Sequence, residues 1–441
     1  MLEKIKAILK NGVVKNAGWL VSGKIIQIVI NLFVGLLTAR YLGPGNYGLI
    51  HYGTAYTTFF ASLCTLGINS VIVKEFVDNP GQEGRILGTS LGLRAISSIL
   101  SAITICGISF VLDAGEPETK LVVFLCSIGV VFHIFELFNY WFQSRLQSKK
   151  TAIAALIAYS VTAAYKVALL ILNKPVAYFA LATSVDYICV AAVLLFFYVR
   201  DGGGRLSFSW SYGIGLLKKS CHFILSGLMV AIYAQTDKLM MKHMIGQTEI
   251  GYYSTALSVC NMWCFLLSAV ITSLSPVIMQ AHKEKSHSYR KLNRVLYALV
   301  FYTSAVVSVI FLLFGDWIIQ LLYGQAYATA AMPLKILTWQ TAFSYLGVAR
   351  DIWVVCEEKQ KYLKYIYVCA ASSNVILNMA FIPMWGASGA AFASLVAQIV
   401  TVMVAPFFIK GMRENSVMIL DAILLRGLDI RQVSRYFSKE E

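Results

Sequence analysis

Apolar runs of about twenty residues dominate this chain, and each is long enough to cross a bilayer as a helix. In order they cover residues 16–39, 49–73, 86–111, 121–142, 152–172, 176–199, 218–238, 250–279, 295–314, 336–356, 363–382 and 387–409. Lipid offers no water to the peptide groups, so a spanning segment must satisfy its own backbone. The expected fold is therefore all-α and polytopic, with about twelve transmembrane helices. Composition agrees: 58% of the 441 residues are apolar and 13% charged, against roughly 25% charged in soluble chains. The mean hydropathy of +0.69 shows that charge is missing from most of the length. Such a chain cannot cover itself in water.

The net charge of +15 sits in short clusters between the runs. That pattern is membrane topology, and it excludes nucleic-acid binding as the reason for the charge. With the N-terminus inside, cytoplasmic segments hold about 27 of the 37 Lys and Arg residues and outward segments about six. Examples are Arg145, Lys149 and Lys150, then Arg200, Arg205, Lys218 and Lys219. This bias places both termini in the cytoplasm of a plasma-membrane protein. Residues 1–15 carry four lysines with Leu2, Ile5, Ile8 and Leu9 at helical spacing, which predicts an interfacial helix. In the 411–441 tail the short apolar stretch Val417–Leu425 is broken by Asp421 and followed by Arg426, Arg431 and Arg435, so it predicts a cytoplasmic amphipathic helix lying on the membrane or on the protein.

Two stretches repeat. Tyr41–Gly48 follows the first run and Met244–Gly251 follows the seventh, with Gly43 on Gly246 and Gly48 on Gly251 at one offset. Ala387–Ser394 resembles Val176–Thr183, and Phe407-Phe408 falls on Phe196-Phe197. These matches predict two six-helix lobes, 16–200 and 216–410, joined by a polar linker at 201–215. Six is even, so the repeat is parallel, an arrangement found in transporters.

Four bases fit no loop: Lys24, Arg94, Lys166 and Arg350. Glu136, Asp186 and Asp351 are acids left at similar depth, with Asp237 nearer an outer end. A charge facing lipid at mid-depth costs at least about 2.5–3.5 kcal/mol, so these groups must pair, snorkel or face water. Arg350 and Asp351 are adjacent and are expected to point to different faces, each needing its own partner. A cavity holding several of the bases would bind an anion such as a phosphate or an acidic sugar. A cavity acid, with Asp186 and Glu136 leading, would exchange H+ or Na+. Lys238, Lys242 and Lys335 at the outer surface, and Lys74 and Glu75 at the inner one, read as topology or gating contacts. Tyr52, Tyr56, Tyr233 and Trp263 could stack on sugar rings, although most aromatics near span ends form an interfacial belt.

No Walker-type phosphate loop, no metal-spaced His/Cys/Asp cluster and no cysteine pair of zinc type occurs, so no cofactor and no enzymatic activity are expected. The nine cysteines read as small packing residues.

Several motifs are familiar. Ala39-Arg-Tyr-Leu-Gly-Pro-Gly-Asn-Tyr-Gly48 resembles the first loop of Wzx-type polysaccharide flippases, which move O-antigen or capsule repeat units and belong to the multidrug/oligosaccharidyl-lipid/polysaccharide exporter superfamily. Tyr233-Ala-Gln-Thr-Asp-Lys-Leu-Met240, Gly251-Tyr-Tyr-Ser254, and Glu358-Lys-Gln-Lys-Tyr362 followed by Asn378 and Ile382-Pro-Met-Trp-Gly-Ala-Ser-Gly-Ala-Ala391 continue it to the end of the chain. Ser144 stands where such flippases often have Gly. The resemblance implies a V-shaped pair of lobes working by alternating access. It also implies an undecaprenyl-diphosphate-linked oligosaccharide as substrate, and a polysaccharide polymerase and glycosyltransferases as partners. In that family spans one, two, seven and eight border the cavity, which would place Lys24, Arg40, Tyr56 and Asp237 near the path. A multidrug antiporter of the same superfamily should have acids dominating its cavity. A lipid II flippase usually has fourteen spans. A membrane glycosyltransferase needs a large catalytic loop, and no inter-span loop here exceeds about twenty residues.

Overall fold

The structure is a computed structural model that describes residues 12–286 and 288–426. It is all-helical. The elements are α1 (Gly12–Cys64), α2 (Asn69–Asp78), α3 (Glu83–Leu112), α4 (Pro117–Phe132), α5 (Leu137–Ser144), α6 (Ser148–Ile171) and α7 (Val176–Arg200). Then follow α8 (Trp210–Ile245), α9 (Gln247–Lys283), α10 (Ser288–Tyr323), α11 (Ala331–Cys356), α12 (Leu363–Ile399), α13 (Ala405–Phe408) and α14 (Arg413–Ile423). A 3-10 turn, His133–Glu136, joins α4 to α5, and a π-helical segment, Val400–Val404, joins α12 to α13. Two rods are broken by non-helical glycines: α1 at Gly43 and α12 at Gly386. Counting those breaks, the described residues hold twelve long helical segments that follow the twelve apolar runs. Seven of the described helices are long and apolar enough to cross a membrane. The other long rods, α1, α8 and α11, are not among these seven.

Connections are tight. Gly43 (φ 69°, ψ 171°) and Gly246 (φ 100°, ψ 172°) adopt the same backbone conformation, so the repeated motif is a repeated turn. A Cβ would oppose that positive φ, which is why glycine stands at both positions. α8, α9 and α10 have 36, 37 and 36 residues. At 1.5 Å per residue each is about 55 Å long and must project beyond a hydrocarbon core of about 30 Å.

By packing, the chain divides into two compact units, Met1–Leu239 and Met240–Glu441. The first is centred on Ile68, Ile72, Phe76, Leu87, Phe138, Trp141 and Leu216. The second is centred on Leu267, Ile278, Tyr297, Leu346, Trp353 and Met418. Large apolar side chains such as Phe33, Ile103, Phe110, Phe196, Leu313 and Phe408 are exposed, while Arg94, Asp113, Asn293, Arg350 and Asn378 are buried. This inverted distribution suits a chain whose solvent is lipid.

The tail expected to lie on the membrane or on the protein packs on the protein. In α14, Asn415 donates to Tyr297 Oη at 2.6 Å, and Arg290 and Arg294 of α10 pair with Glu414 and Asp421 at 2.7 and 2.9 Å. Met418, Ile419 and Ala422 are fully or almost fully buried. The expected interfacial helix at 1–15 falls largely outside the described residues, as does the tail after Arg426.

Candidate functional site

The polar groups of the first unit form a seam across its helices. The fourth span is interrupted by the 3-10 turn that carries His133 and Glu136. A 3-10 stretch inside a long helix re-aims side chains and often marks a hinge. His133 Nε2 lies 3.5 Å from Glu136 Oε2, and Arg94 Nη1 of α3 lies 3.9 Å from the same oxygen. Arg94 is 1% exposed and also donates to Asn69 Oδ1 of α2. His133 meets the Tyr187 ring edge-on at 5.3 Å. Next to Tyr187, Asp186 accepts a hydrogen bond from Thr162 Oγ1 at 3.4 Å and stands within electrostatic reach of Lys166. Lys166 and Asp186 are both half-buried. Asp237 is buried beside Lys238 on α8, and His51 lies within reach of the charges of both Lys238 and Lys166.

The structure therefore brings Arg94, Glu136, Asp186 and Lys166 into one charge-compensated seam of two bases and two acids. Tyr56 sits elsewhere in the first unit. It is 3% exposed and locked in a relay: Tyr56 and Tyr52 hydroxyls are 3.0 Å apart, Tyr52 donates to Asp113 at 2.9 Å, and Ser109 donates to Asp113 at 2.6 Å. Asp113, just past the end of α3, is thus a buried acceptor tying α3 to α1. Arg40 is exposed on α1 just before the Gly43 turn. Lys24 lies on α1, but its side chain is outside the described set.

In the second unit Arg350 is 1% exposed. The expectation that Arg350 and Asp351 point to different faces is corrected: Arg350 Nη2 lies 3.1 Å from Asp351 Oδ1. Adjacent Cβ atoms do diverge on a helix, but a guanidinium on a long stem folds back far enough to reach its neighbour. Its other arm donates from Nη1 to the Thr401 carbonyl at 2.9 Å, within the π-helical segment. A π turn shifts the backbone hydrogen-bond register, and the arginine satisfies a carbonyl there. Nearby, Asn378 donates to Asn374 at 3.0 Å, and Tyr253 and Ser394 hydroxyls are 3.4 Å apart. Glu249 accepts from the Ala387 amide at 2.7 Å and so caps the helix that restarts after Gly386.

A clasp outside the spans was not foreseen as such. Glu75 accepts from Lys219 Nζ at 2.6 Å and from Tyr212 Oη at 2.7 Å, beside a 300 Å³ pocket that Arg85 and Leu216 also line. Burial would raise the Glu75 carboxyl, but hydrogen bonds from Lys219 and Tyr212 and the Lys219 and Lys74 charges hold it below its ordinary value. Burial and then the Glu75 carboxylate push the Tyr212 hydroxyl up. The sequence singled out Lys74 and Glu75, but the partners Tyr212 and Lys219 stand 137 and 144 positions from Glu75. Among the described residues no cluster of three metal-ligating side chains occurs.

Residues 13–282 match the family described as polysaccharide biosynthesis protein. The chain belongs to the polysaccharide biosynthesis protein family. Residues 223–380 also match the MatE family. Among relatives, the capsular polysaccharide biosynthesis protein CapF of Staphylococcus aureus is 21% identical over 90% of this chain and 99% of its own length. A putative O-antigen transporter of Salmonella typhi is 22% identical over 42% of this chain and 44% of its own. Among solved structures, lipid II flippase MurJ in an inward closed conformation superposes with a TM-score of 0.68 at 15% identity, covering 92% of each chain. The fold is thus that of the superfamily to which the family's transporters belong, and the protein is a multi-pass membrane transporter, not an enzyme.

Proposed function

We propose that the protein is a flippase that moves an undecaprenyl-diphosphate-linked oligosaccharide from the inner to the outer leaflet of the plasma membrane for surface polysaccharide synthesis. Its two six-helix lobes, 16–200 and 216–410 about the 201–215 linker, alternate access with both termini in the cytoplasm. The observation that carries this reading is the family match over residues 13–282 together with a full-length capsule-synthesis relative. The charged seam supplies the chemistry. A diphosphate is doubly anionic and accepts charge-assisted hydrogen bonds from ammonium and guanidinium groups.

Of the residues assigned to the cavity, half-buried Lys166 is the best placed for such a contact, with Lys24 and Arg40 on α1 the remaining candidates. The burial of Arg94 and Arg350 against internal partners supports a helix-pinning role for both. Asp186 is the leading site for coupling to H+ or Na+, with Glu136 and Asp237 behind it. A polymerase and glycosyltransferases would supply and consume the cargo.

The test is reconstitution. Proteoliposomes carrying a fluorescent lipid-linked oligosaccharide are challenged with an impermeant glycosidase, and the fraction protected is followed in time. Loss of protection beyond that of empty vesicles is expected. Flipping of lipid II, or of a cationic dye, with none of the oligosaccharide would overturn the reading.

A further inference from the structure

The segment between α7 and α8 is not a slack tether. Residues 203–209 form neither helix nor strand and run along α3. Gly84, Gly88 and Gly92 recur every fourth residue and so share one face of that helix. A Cβ on Gly84 would strike the Arg205 carbonyl. One on Gly88 would lie 2.6 Å from Ser207 O, and one on Gly92 would lie 2.6 Å from the Phe208 ring. No other residue type leaves room for backbone at that distance. The seat is also hydrogen-bonded: Ser207 N donates to Gly84 O at 3.1 Å and Ser209 N to Thr89 Oγ1 at 3.1 Å. Arg85 Nη2 reaches Ser209 Oγ at 2.9 Å, and Tyr198 Oη reaches Gly204 O at 2.7 Å.

The strap presents large apolar side chains outward. Leu206, Phe208 and Trp210 alternate and are 46%, 52% and 57% exposed. The Phe208 and Trp210 rings are 5.8 Å apart, and Ile214, one turn into α8, extends the patch. Beyond Gly92 the same α3 face carries exposed Ile96, Leu100 and Ile103. The apolar, lipid-facing ridge of α3 therefore loses its side chains at the glycines, and the strap's side chains replace them. Arg200, Arg205 and Lys218 flank the patch and are exposed, which complements anionic headgroups. Aromatic rings at the end of a lipid-facing ridge, beside bases, have the composition of a membrane-interface anchor.

We infer that the 203–210 strap, seated in the Gly84/Gly88/Gly92 groove, is an interfacial anchor whose Leu206, Phe208 and Trp210 side chains insert into the headgroup layer of the membrane. The occupant of this surface is the lipid of the bilayer itself. An apolar patch of this kind facing water would favour aggregation, and its continuity with the α3 ridge gives it lipid instead.

Single cysteines at Leu206, Phe208, Trp210 and Gln82, in a cysteine-free background, are spin-labelled and reconstituted in phosphatidylethanolamine/phosphatidylglycerol vesicles. Accessibility to oxygen and to a water-soluble nickel chelate is then read. Gln82, exposed in the α2–α3 turn, is the aqueous reference. Labels at 206, 208 and 210 should be several-fold less open to nickel than that at 82, yet open to oxygen. Equal nickel access at all four positions would overturn the anchor. Shielding from both reagents would also overturn it, because protein and not lipid would then cover the patch. Gly88→Leu should lift the strap and raise nickel access at 206 and 208. An unchanged pattern in that variant would refute the glycine seat, and if the variant does not accumulate, the labels in the parent still decide.

Discussion

Removing either member of the Arg94–Glu136 pair should have unequal consequences. Glu136→Gln leaves a guanidinium that is 1% exposed, with Nε and Nη1 lacking hydrogen-bond acceptors and Asn69 as its remaining partner. Breaking a buried pair in this way costs about 3–5 kcal/mol, because the stranded charge cannot reach water. The separation of 3.9 Å and the 35% exposure of the Glu136 side chain place the loss at the low end, about 3 kcal/mol. Arg94→Gln strands the other partner instead. The Glu136 side chain is 35% exposed overall and stands beside His133, although its Oε2 is buried, so the loss is smaller, about 1–2 kcal/mol. In the double variant no charge is stranded, and its cost should fall below the sum by about 1–2 kcal/mol.

Thermal denaturation in detergent, followed by size-exclusion of a fluorescent fusion, gives the order of stabilities. Unfolding of such a chain is irreversible in practice, so rank is the readout, not an equilibrium free energy. The expected order is parent, Arg94→Gln, then Glu136→Gln, with the double variant above Glu136→Gln. Surface glycan is scored in parallel. If Arg94→Gln keeps parental stability and abundance but abolishes export, Arg94 contacts cargo and the helix-pinning argument is refuted.

Glu75 has a depressed carboxyl value, so its clasp contributes fully above the unfolded value of about 4.3 and loses that contribution as pH falls through its lower folded value. With Lys219 60% exposed, the contribution is about 1 kcal/mol, and the thermal-stability gap between parent and Glu75→Gln should close in acid; a gap independent of pH would contradict it. Asp186→Asn should remove any gradient dependence of flipping in proteoliposomes while leaving accumulation normal; flipping by the parent that ignores collapsed proton and sodium gradients would exclude coupling. Single cysteines at Gly45, Gly115 and Trp385 should label from outside, and those at Lys149 and Gln360 only after permeabilisation; a reversed site would break the topology there.

The spans were legible because lipid leaves a spanning backbone only the helix or the closed barrel, and twenty apolar residues in a row write the helix plainly. The Gly43 and Gly246 turns were legible because a positive φ restricts the residue type, so repeated geometry left a repeated letter. The pairing of Arg94 with Glu136 was not, since 42 positions separate them and no periodicity links a residue on α3 to one on a 3-10 turn. Arg350 and Asp351 misled for a different reason: helix geometry fixes Cβ directions but not where a long side chain ends. The glycine seat was spelled out at every fourth residue of α3. Its occupant, an irregular segment, has no pattern that announces it.

The pairing changes how an anionic cargo would have to bind. The bases meet acids already: Arg94 with Glu136, Lys166 near Asp186, Lys238 beside Asp237, Arg350 with Asp351. That offsets the cost of holding charge at membrane depth. On the proposed function, a diphosphate approaching Lys166 then competes with a carboxylate and does not fill an empty cationic site. Competition weakens binding, which a carrier needs if it is to release its cargo on the far side. It also links two events. On that reading, once the diphosphate engaged Lys166, Asp186 would lose its counter-charge, and a half-buried carboxylate left without one would gain from taking up a proton or sodium ion. Cargo binding and ion uptake would then be one exchange at one pair of residues, and the buried guanidinium groups of Arg94 and Arg350 would hold the helices while it occurs.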